Sequence, residues 1–261
     1  MVTIGLAINT KSISVSIFDG IEFCGFNNEY GKFPYCNNIP LDAISECLYK
    51  ANINLSDIGR IVISDQFKIT DRYLVSFLHK GVINSNGLKE FYNAFKIRRK
   101  LKGSLLKYFL NRGVNISYLK FEFRDSLHSL IYFKYCESAF EKAAFIHFSD
   151  NQFFDFNLTG SINENNISYN SSNNLLNCIM SLNKSYTSSK EFNDNEKRLL
   201  INLLADLYNE EECDCLIINN NFNGILTEDF IIYNSPFKQV HYSNNSYCDE
   251  DISMGAAMLS F

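Results

Sequence analysis

Cys213-Asp214-Cys215 sets two thiols around a carboxylate, side-chain types that could begin a zinc site. A structural zinc needs a second pair of Cys or His ligands at short spacing. None lies nearby, so the triplet reads as ordinary thiols at a strand. The remaining cysteines, Cys24, Cys36, Cys47, Cys136, Cys178 and Cys248, are scattered without repeated spacing, which argues for free thiols over a disulfide framework. His79, His147 and His241 have no partner recognisable from the sequence. No G-x-S-x-G, Walker A loop or G-x-G-x-x-G occurs, which removes the commonest nucleophile and phosphate-loop chemistries. The strongest charge signal is basic. Lys89, Lys96, Arg98, Arg99, Lys100, Lys102, Lys107 and Arg112 are opposed in their segment only by Glu90, as a solvated helix face or as a docking face for an acidic partner or phosphate-bearing ligand.

The elements that must position such residues are legible in the apolar spacing. Ile4, Leu6 and Ile8 alternate, as do Ile13, Val15 and Ile17, and Asp19-Gly20 before Ile21 and Phe23 predicts a tight hairpin with positive φ at both turn residues. Pro40 to Ala51 has helical spacing, and Arg60 to Ser64 is a short apolar strand. Phe91, Tyr92, Phe95, Leu101, Leu105, Leu106 and Phe109 recur as on a basic amphipathic helix or helix pair over about 88–110. A strand at 119–123, a helix from Ser126 to about Phe140 and a buried strand from Ala143 to Phe148 follow. The second half is expected to open with another hairpin, from Gln152 to Leu158 turning at Thr159-Gly160, and then a polar loop over 161–195. Asp194 caps a helix through Leu207, Cys215 to Ile218 is a strand, Phe222 to Ile232 is helical, Gln239 to Tyr242 is extended and Met254 to Leu259 is a close-packing helix. Two αβ lobes, 1–150 and 151–261, with a cleft between them are the expectation.

Bulk properties agree. A chain of 261 residues, 46% hydrophobic and 20% charged, can bury two cores, and no run approaches the ~20 apolar residues of a membrane helix. The start MVTIGLAINTKS has no export pattern, so a cytoplasmic protein is expected. A net charge of −5 speaks against nucleic acid as a partner of the whole molecule.

Several segments, in colinear order over nearly the whole chain, resemble the N-terminal domain of the O-carbamoyltransferases of nodulation-factor, cephamycin and aminoglycoside pathways (NodU/CmcH type). They are Ile4-Gly5-Leu6-Ala7-Ile8-Asn9 with Asp19-Gly20, Pro40 through Ile63, Ala139-Phe140-Glu141-Lys142-Ala143-Ala144 with Asp150, Pro236-Phe237-Lys238-Gln239-Val240, and Asp249 to Ala257. The resemblance implies an α/β, two-lobed, actin- and sugar-kinase-like (ribonuclease H-like) fold with mixed sheets flanked by helices. It also implies O-carbamoyl transfer to a hydroxyl acceptor, with ATP, carbamoyl adenylate and a divalent metal as cofactors. The resemblance does not extend to the family's second, YrdC-like domain, so a YrdC-like protein or a full-length homologue is the expected partner.

The same resemblance implies the site. The family's metal lies between two histidines at i and i+4 and a distant aspartate. His128 matches the second histidine and Asp249 the aspartate, while Arg124 replaces the first histidine and Asp125 is the available substitute ligand. Asp249 and His128 are thus the catalytic candidates. The family's nucleotide-bordering His-Asp falls on Thr10-Lys11 after Asn9, and its phosphate-approaching glycine pair on Asn219-Asn220-Asn221; these six are the cofactor candidates. The glutamate-rich signature is reduced to Asn28-Glu29-Tyr30-Gly31-Lys32. Two functions remain open: one subunit of a split carbamoyltransferase, or a catalytically inactive relative that serves as an interaction module and binds no cofactor.

Overall fold

The computed structural model describes residues 1–8, 12–30, 41–65, 85–148, 158–164, 166–169, 194–220, 228–243 and 249–259. They form two compact units, Met1–Leu130 with Asp249–Phe261, and Ile131–Cys248. The expected division after residue 150 differs from this one. The strand at 142–148 belongs to the second unit and the last helix to the first.

In the first unit β1 (Val2–Ile8), β2 (Ser12–Phe18) and β3 (Phe23–Tyr30) are an antiparallel meander. α1 (Leu41–Ala51) leads to β4 (Ile58–Asp65), and α2 (Ser85–Asn111) to β5 (Lys120–Asp125). β4 is parallel to β1 and β5 to β4, giving the order β3-β2-β1-β4-β5. The alternation seen in the sequence sends Ile4, Leu6, Ile13, Val15, Ile17, Ile61 and Ile63 to one face, against Ala43, Ile44, Cys47 and Leu48 of α1 and Leu105, Tyr108 and Phe109 of α2. Ser45 of α1 and the Tyr108 hydroxyl of α2 are hydrogen-bonded at 2.6 Å. The β2–β3 connection is looser than the tight turn expected. Only Gly20 has positive φ, at 108°. Asp19 keeps an ordinary φ because its carboxylate accepts from the backbone N–H groups of Ile21 and Glu22 at 2.8 and 3.0 Å, an Asx turn that spreads the loop over four residues.

The opposite face is covered by α6 (Asp249–Met258) and is small and polar. Ser253 of α6 is hydrogen-bonded to both Ser14 and Ser16 at 2.9 and 2.6 Å. A Cβ on Gly5 would collide with the Ser253 carbonyl oxygen and lie 2.6 Å from the Ala257 nitrogen, so only glycine admits the helix this close.

The second unit repeats the plan. β6 (Lys142–Phe148), β7 (Leu158–Asn163) and β8 (Asn166–Tyr169) are antiparallel; β9 (Cys215–Asn220) runs parallel to β6 and β10 (Gln239–Ser243) parallel to β9. Taken from the β8 edge, the order β8-β7-β6-β9-β10 is that of the first sheet, one αβ topology built twice. α4 (Asp194–Glu211) and α5 (Glu228–Asn234) cover one face, where Leu200, Leu203, Leu204 and Leu207 meet Ala144, Ile146, Leu216 and Ile218. α3 (Ser126–Ser138), inside which the unit boundary falls, is buried on several sides, from Leu127 and Leu130 to Phe133 and Tyr135. The expected turn at Thr159-Gly160 is corrected. Both residues are buried within β7, and the hairpin turns after Asn163 at Glu164, whose φ is 50°. Gly160 is there for close packing, since a Cβ would meet the Ser168 carbonyl oxygen and, at 2.8 Å, the Phe145 ring. Gln152 to Asn157 and Phe222 to Thr227 lie outside the described residues; the helix expected from Phe222 is seen from Glu228.

Candidate functional site

In the first unit the parallel strands end together. Ile8 is the register partner of Asp65, and Asp65 of Asp125, so the C-terminal edge of the sheet carries two aspartates side by side. This is the edge at which open α/β sheets bind ligands. Asn9, Thr10 and Lys11, which follow β1, lie outside the described residues, as do Gly31 and Lys32, and nothing is described of the Glu29 side chain. At the end of β5 the chain turns directly into α3. Asp125 Oδ1 accepts from the backbone N–H of Leu127 at 2.8 Å, which caps the helix, and His128 follows half-buried in the first turn. Ser129, one residue on, is buried and hydrogen-bonded to Ser64 of β4.

Arg124, at the family's first histidine position, donates to Glu122 Oε2 at 3.0 Å, and Arg60 of β4 pairs with the other oxygen of the same carboxylate. Burial alone would raise the Glu122 pKa, but the hydrogen bond and charge of Arg60 and the charge of Arg124 outweigh it and hold the carboxyl below its ordinary range. Arg124 is therefore engaged along its own strand. Among the described residues no group of three or more His, Cys, Asp or Glu side chains could hold a metal. One oxygen of Asp125 is committed to the helix cap. Asp249 is the first residue of α6, which packs on β1, β2 and β4; nothing is described of its carboxylate.

In the second unit two of the three candidate asparagines prove different from a glycine turn. Asn219 and Asn220 are still strand, in register with His147 and Phe148 of β6. Asn219 is buried, and its Nδ2 donates to His147 Nδ1 at 3.2 Å, while Ser243 of β10 is its register partner on the other side. Asn219 thus turns its amide to a buried histidine, which corrects its reading as a phosphate-approaching turn residue. It also supplies the partner that His147 lacked in the sequence. Nothing is described of the Asn220 side chain, and Asn221, Asp150 and His79 lie outside the described residues.

One polar cluster escaped the sequence reading. Lys134, 2% exposed on α3, donates to Glu137 Oε2 at 2.9 Å, and His241 Nε2 lies 4.0 Å from the same oxygen. Burial pushes the His241 pKa down, against the charge of Glu137, and Lys134 adds to the lowering. The signal was a lysine within the apolar run from Leu130 to Tyr135. The cysteine triplet behaves as expected of ordinary thiols. Cys213 Sγ donates to the Cys215 carbonyl at 3.5 Å, and the Asp214 carboxylate takes Lys238 Nζ at 2.6 Å.

Two copies of a sheet with a three-stranded meander and two parallel strands, flanked by helices, can be set beside solved structures. The ROK hexokinase from Thermus thermophilus superposes with a TM-score of 0.55 at 11% identity, over 99% of this chain and 97% of that chain. The fold is that of the actin and sugar-kinase class. A putative sugar kinase from Cytophaga hutchinsonii (TM-score 0.46, 8% identity, 98% of each chain) and the polyphosphate/ATP-glucomannokinase from Arthrobacter sp. strain KM (0.45, 11%, 98% of this chain and 96% of that chain) are also similar. At such identities the likeness to actin- and sugar-kinase-type proteins concerns the fold alone. No family model matches the sequence, and no curated protein matches it. Among the described residues no helix is long and apolar enough to cross a membrane.

Proposed function

We propose that the chain is the acceptor-binding part of an O-carbamoyltransferase, working in the cytoplasm with a YrdC-like partner that supplies carbamoyl adenylate. The observation that carries this reading is the β5–α3 junction. It sets Asp125 and His128, two of the residues named by the family resemblance, at the carboxyl ends of the parallel strands of a sugar-kinase-type sheet. In the proposed reaction the hydroxyl oxygen of the acceptor attacks the carbamoyl carbon, the bond to the adenylate oxygen breaks, AMP leaves, and the hydroxyl proton passes to His128. An imidazole can take a proton near neutral pH, where a carboxylate is a poor base. Asp249 orients the acceptor, and no step is routed through a metal. The test is carbamoyl transfer to a hydroxyl acceptor by the chain mixed with its partner, ATP and carbamoyl phosphate. His128→Asn and Asp249→Asn are each expected to lose about 100-fold or more; full activity in both refutes the reading.

A second reading, an inactive module that binds a full-length homologue, is favoured by one observation. Asn219, where the family has phosphate-approaching glycines, is buried against His147. Calorimetric titration with ATP, carbamoyl phosphate and a divalent metal, singly and together, separates the two. Saturable binding that is lost in Asp249→Asn supports the transferase, and no binding in any combination supports the module.

A further inference from the structure

α2 has two faces. The inner one buries Leu105 and Phe109 and sets Arg98 and Lys102 over the rings of Phe123 and Phe121. The outer one is a stripe at i, i+3, i+4 and i+7, namely Tyr92, Phe95, Lys96 and Arg99. Tyr92 is 64% and Phe95 56% exposed, and both cations face solvent. α5 has the opposite charge on a similar surface. Glu228, Asp229, Ile232 and Tyr233 are exposed, Ile232 at 50% and Tyr233 at 85%, while Ile231 anchors the helix in its core. Tyr92, Phe95, Ile232 and Tyr233 are four of the nine exposed large apolar side chains among the described residues, and they fall as one pair on each helix.

The charges are complementary within one sequence. The segment from Lys89 to Arg112 has eight cations against one carboxylate, +7, in a chain whose net charge is −5, which leaves −12 on the other residues. We propose that the outer face of α2 receives α5 of a second copy of this chain, with the two helices antiparallel. The order of residues decides the direction. In α2 the aromatic pair precedes the cations, and in α5 the carboxylates precede the apolar pair. Antiparallel packing therefore brings Ile232 and Tyr233 onto Tyr92 and Phe95, and Glu228 and Asp229 onto Lys96 and Arg99. The lengths agree, since the seven residues of α5 and the span from Tyr92 to Arg99 each extend about 10 Å. A contact this small is transient; apolar packing and the charges share its strength, and the charges also set its partner and direction.

Sedimentation equilibrium tests the pairing directly. The weight-average mass of the wild-type chain is expected to rise between about 1 µM and about 500 µM at about 50 mM NaCl, and to fall back at about 0.5 M. Lys96→Glu/Arg99→Glu puts carboxylates on both contact stripes and Glu228→Lys/Asp229→Lys puts cations on both, so each variant alone is expected to associate about tenfold more weakly or worse. Mixed in equal amounts they are expected to associate again, because the carboxylates on the α2 stripe of the first meet the cations on α5 of the second. Tyr233→Ser, a milder change on the same surface, is expected to weaken wild-type association. A wild-type chain that stays monomeric across the range overturns the proposal, as does a Tyr233→Ser variant that associates like the wild type, or a mixture no more associated than its components. If a monomeric wild type instead sediments with phosphatidylserine vesicles or shifts a single-stranded oligonucleotide, α2 belongs to a membrane surface or a nucleic acid, and the proposal is again overturned.

Discussion

Glycine-to-alanine substitution at two positions is expected to act with opposite signs, and the difference is set by what a new Cβ meets. At Gly5 it would run into the Ser253 carbonyl oxygen and lie 2.6 Å from Ala257 N and 2.9 Å from Ala257 Cβ. Two of these three obstacles are backbone of α6, which no rotamer change can move aside. Restoring ordinary contact requires α6 to retreat by about 1 Å, and over-packing of this kind costs about 1–3 kcal/mol. The retreat also pulls Ser253 from Ser14 and Ser16, where buried hydrogen bonds contribute about 1 kcal/mol each. Gly5→Ala should therefore cost about 3–5 kcal/mol, and at about 2–4 °C per kcal/mol its melting temperature should fall by about 6–20 °C. Gly103, in the middle of α2, has nothing within 4 Å of its would-be Cβ. There the substitution only relieves the poor helix propensity of glycine, by about 0.8–1 kcal/mol, and should raise the melting temperature by about 2–4 °C. Differential scanning calorimetry of both variants against the wild type reads the two shifts. A Gly5→Ala protein melting within about 2 °C of the wild type would refute the reasoning about α6.

Three further substitutions probe the part-buried ion pairs. Glu122 titrates below its ordinary value of 4.5, so the stability it contributes is complete above that value and is lost as the pH falls through its lowered folded pKa. Urea unfolding of Glu122→Gln should accordingly show a flatter acid limb below about pH 5, and a limb as steep as that of the wild type would exclude this carboxylate as its source. Glu137→Gln leaves the ammonium of Lys134 buried beside a neutral amide. Breaking a buried pair costs about 3–5 kcal/mol, reduced to about 1–2 kcal/mol here because the Glu137 side chain is 41% exposed. Lys134→Met, which removes the ammonium itself, should cost less than Glu137→Gln, and urea midpoints in the reverse order would contradict this account.

The elements were legible wherever burial is local and periodic. Ile4-Leu6-Ile8 and Ile13-Val15-Ile17 alternate because one sheet face packs on α1 and α2, and the inner stripe of α2 was visible through Leu101, Leu105 and Phe109 for the same reason. Legibility failed where a residue answers to a distant neighbour. Thr159-Gly160 looked like a turn, yet Gly160 is required by Ser168 and Phe145 across the sheet. The small residues of Gly255-Ala256-Ala257 announced close packing, but not that the surface they meet is β1, at the far end of the chain. The candidate site divides along the same line. The strand-to-helix junction at Asp125 and His128 is local, and the structure describes it at the sheet edge. The pairing of His147 with Asn219 joins positions 72 residues apart, and no spacing rule could have found it.

The position of α6 bears on how the molecule is made. All five strands of the first sheet are synthesised before the helix that covers them, with the second unit between. The delay is roughly 120 residues, or about 6–24 s at about 5–20 residues per second. During that interval the uncovered face presents Thr3, Gly5, Ala7, Ser14, Ser16, Val62 and Ser64, small or hydroxyl-bearing apart from Val62, while Ile4, Leu6, Val15 and Ile17 point the other way, toward helices made earlier in the same unit. A nascent chain waiting for its last helix thus exposes hydroxyls to the solvent instead of a greasy surface, and it has little there for a chaperone or a neighbouring chain to seize.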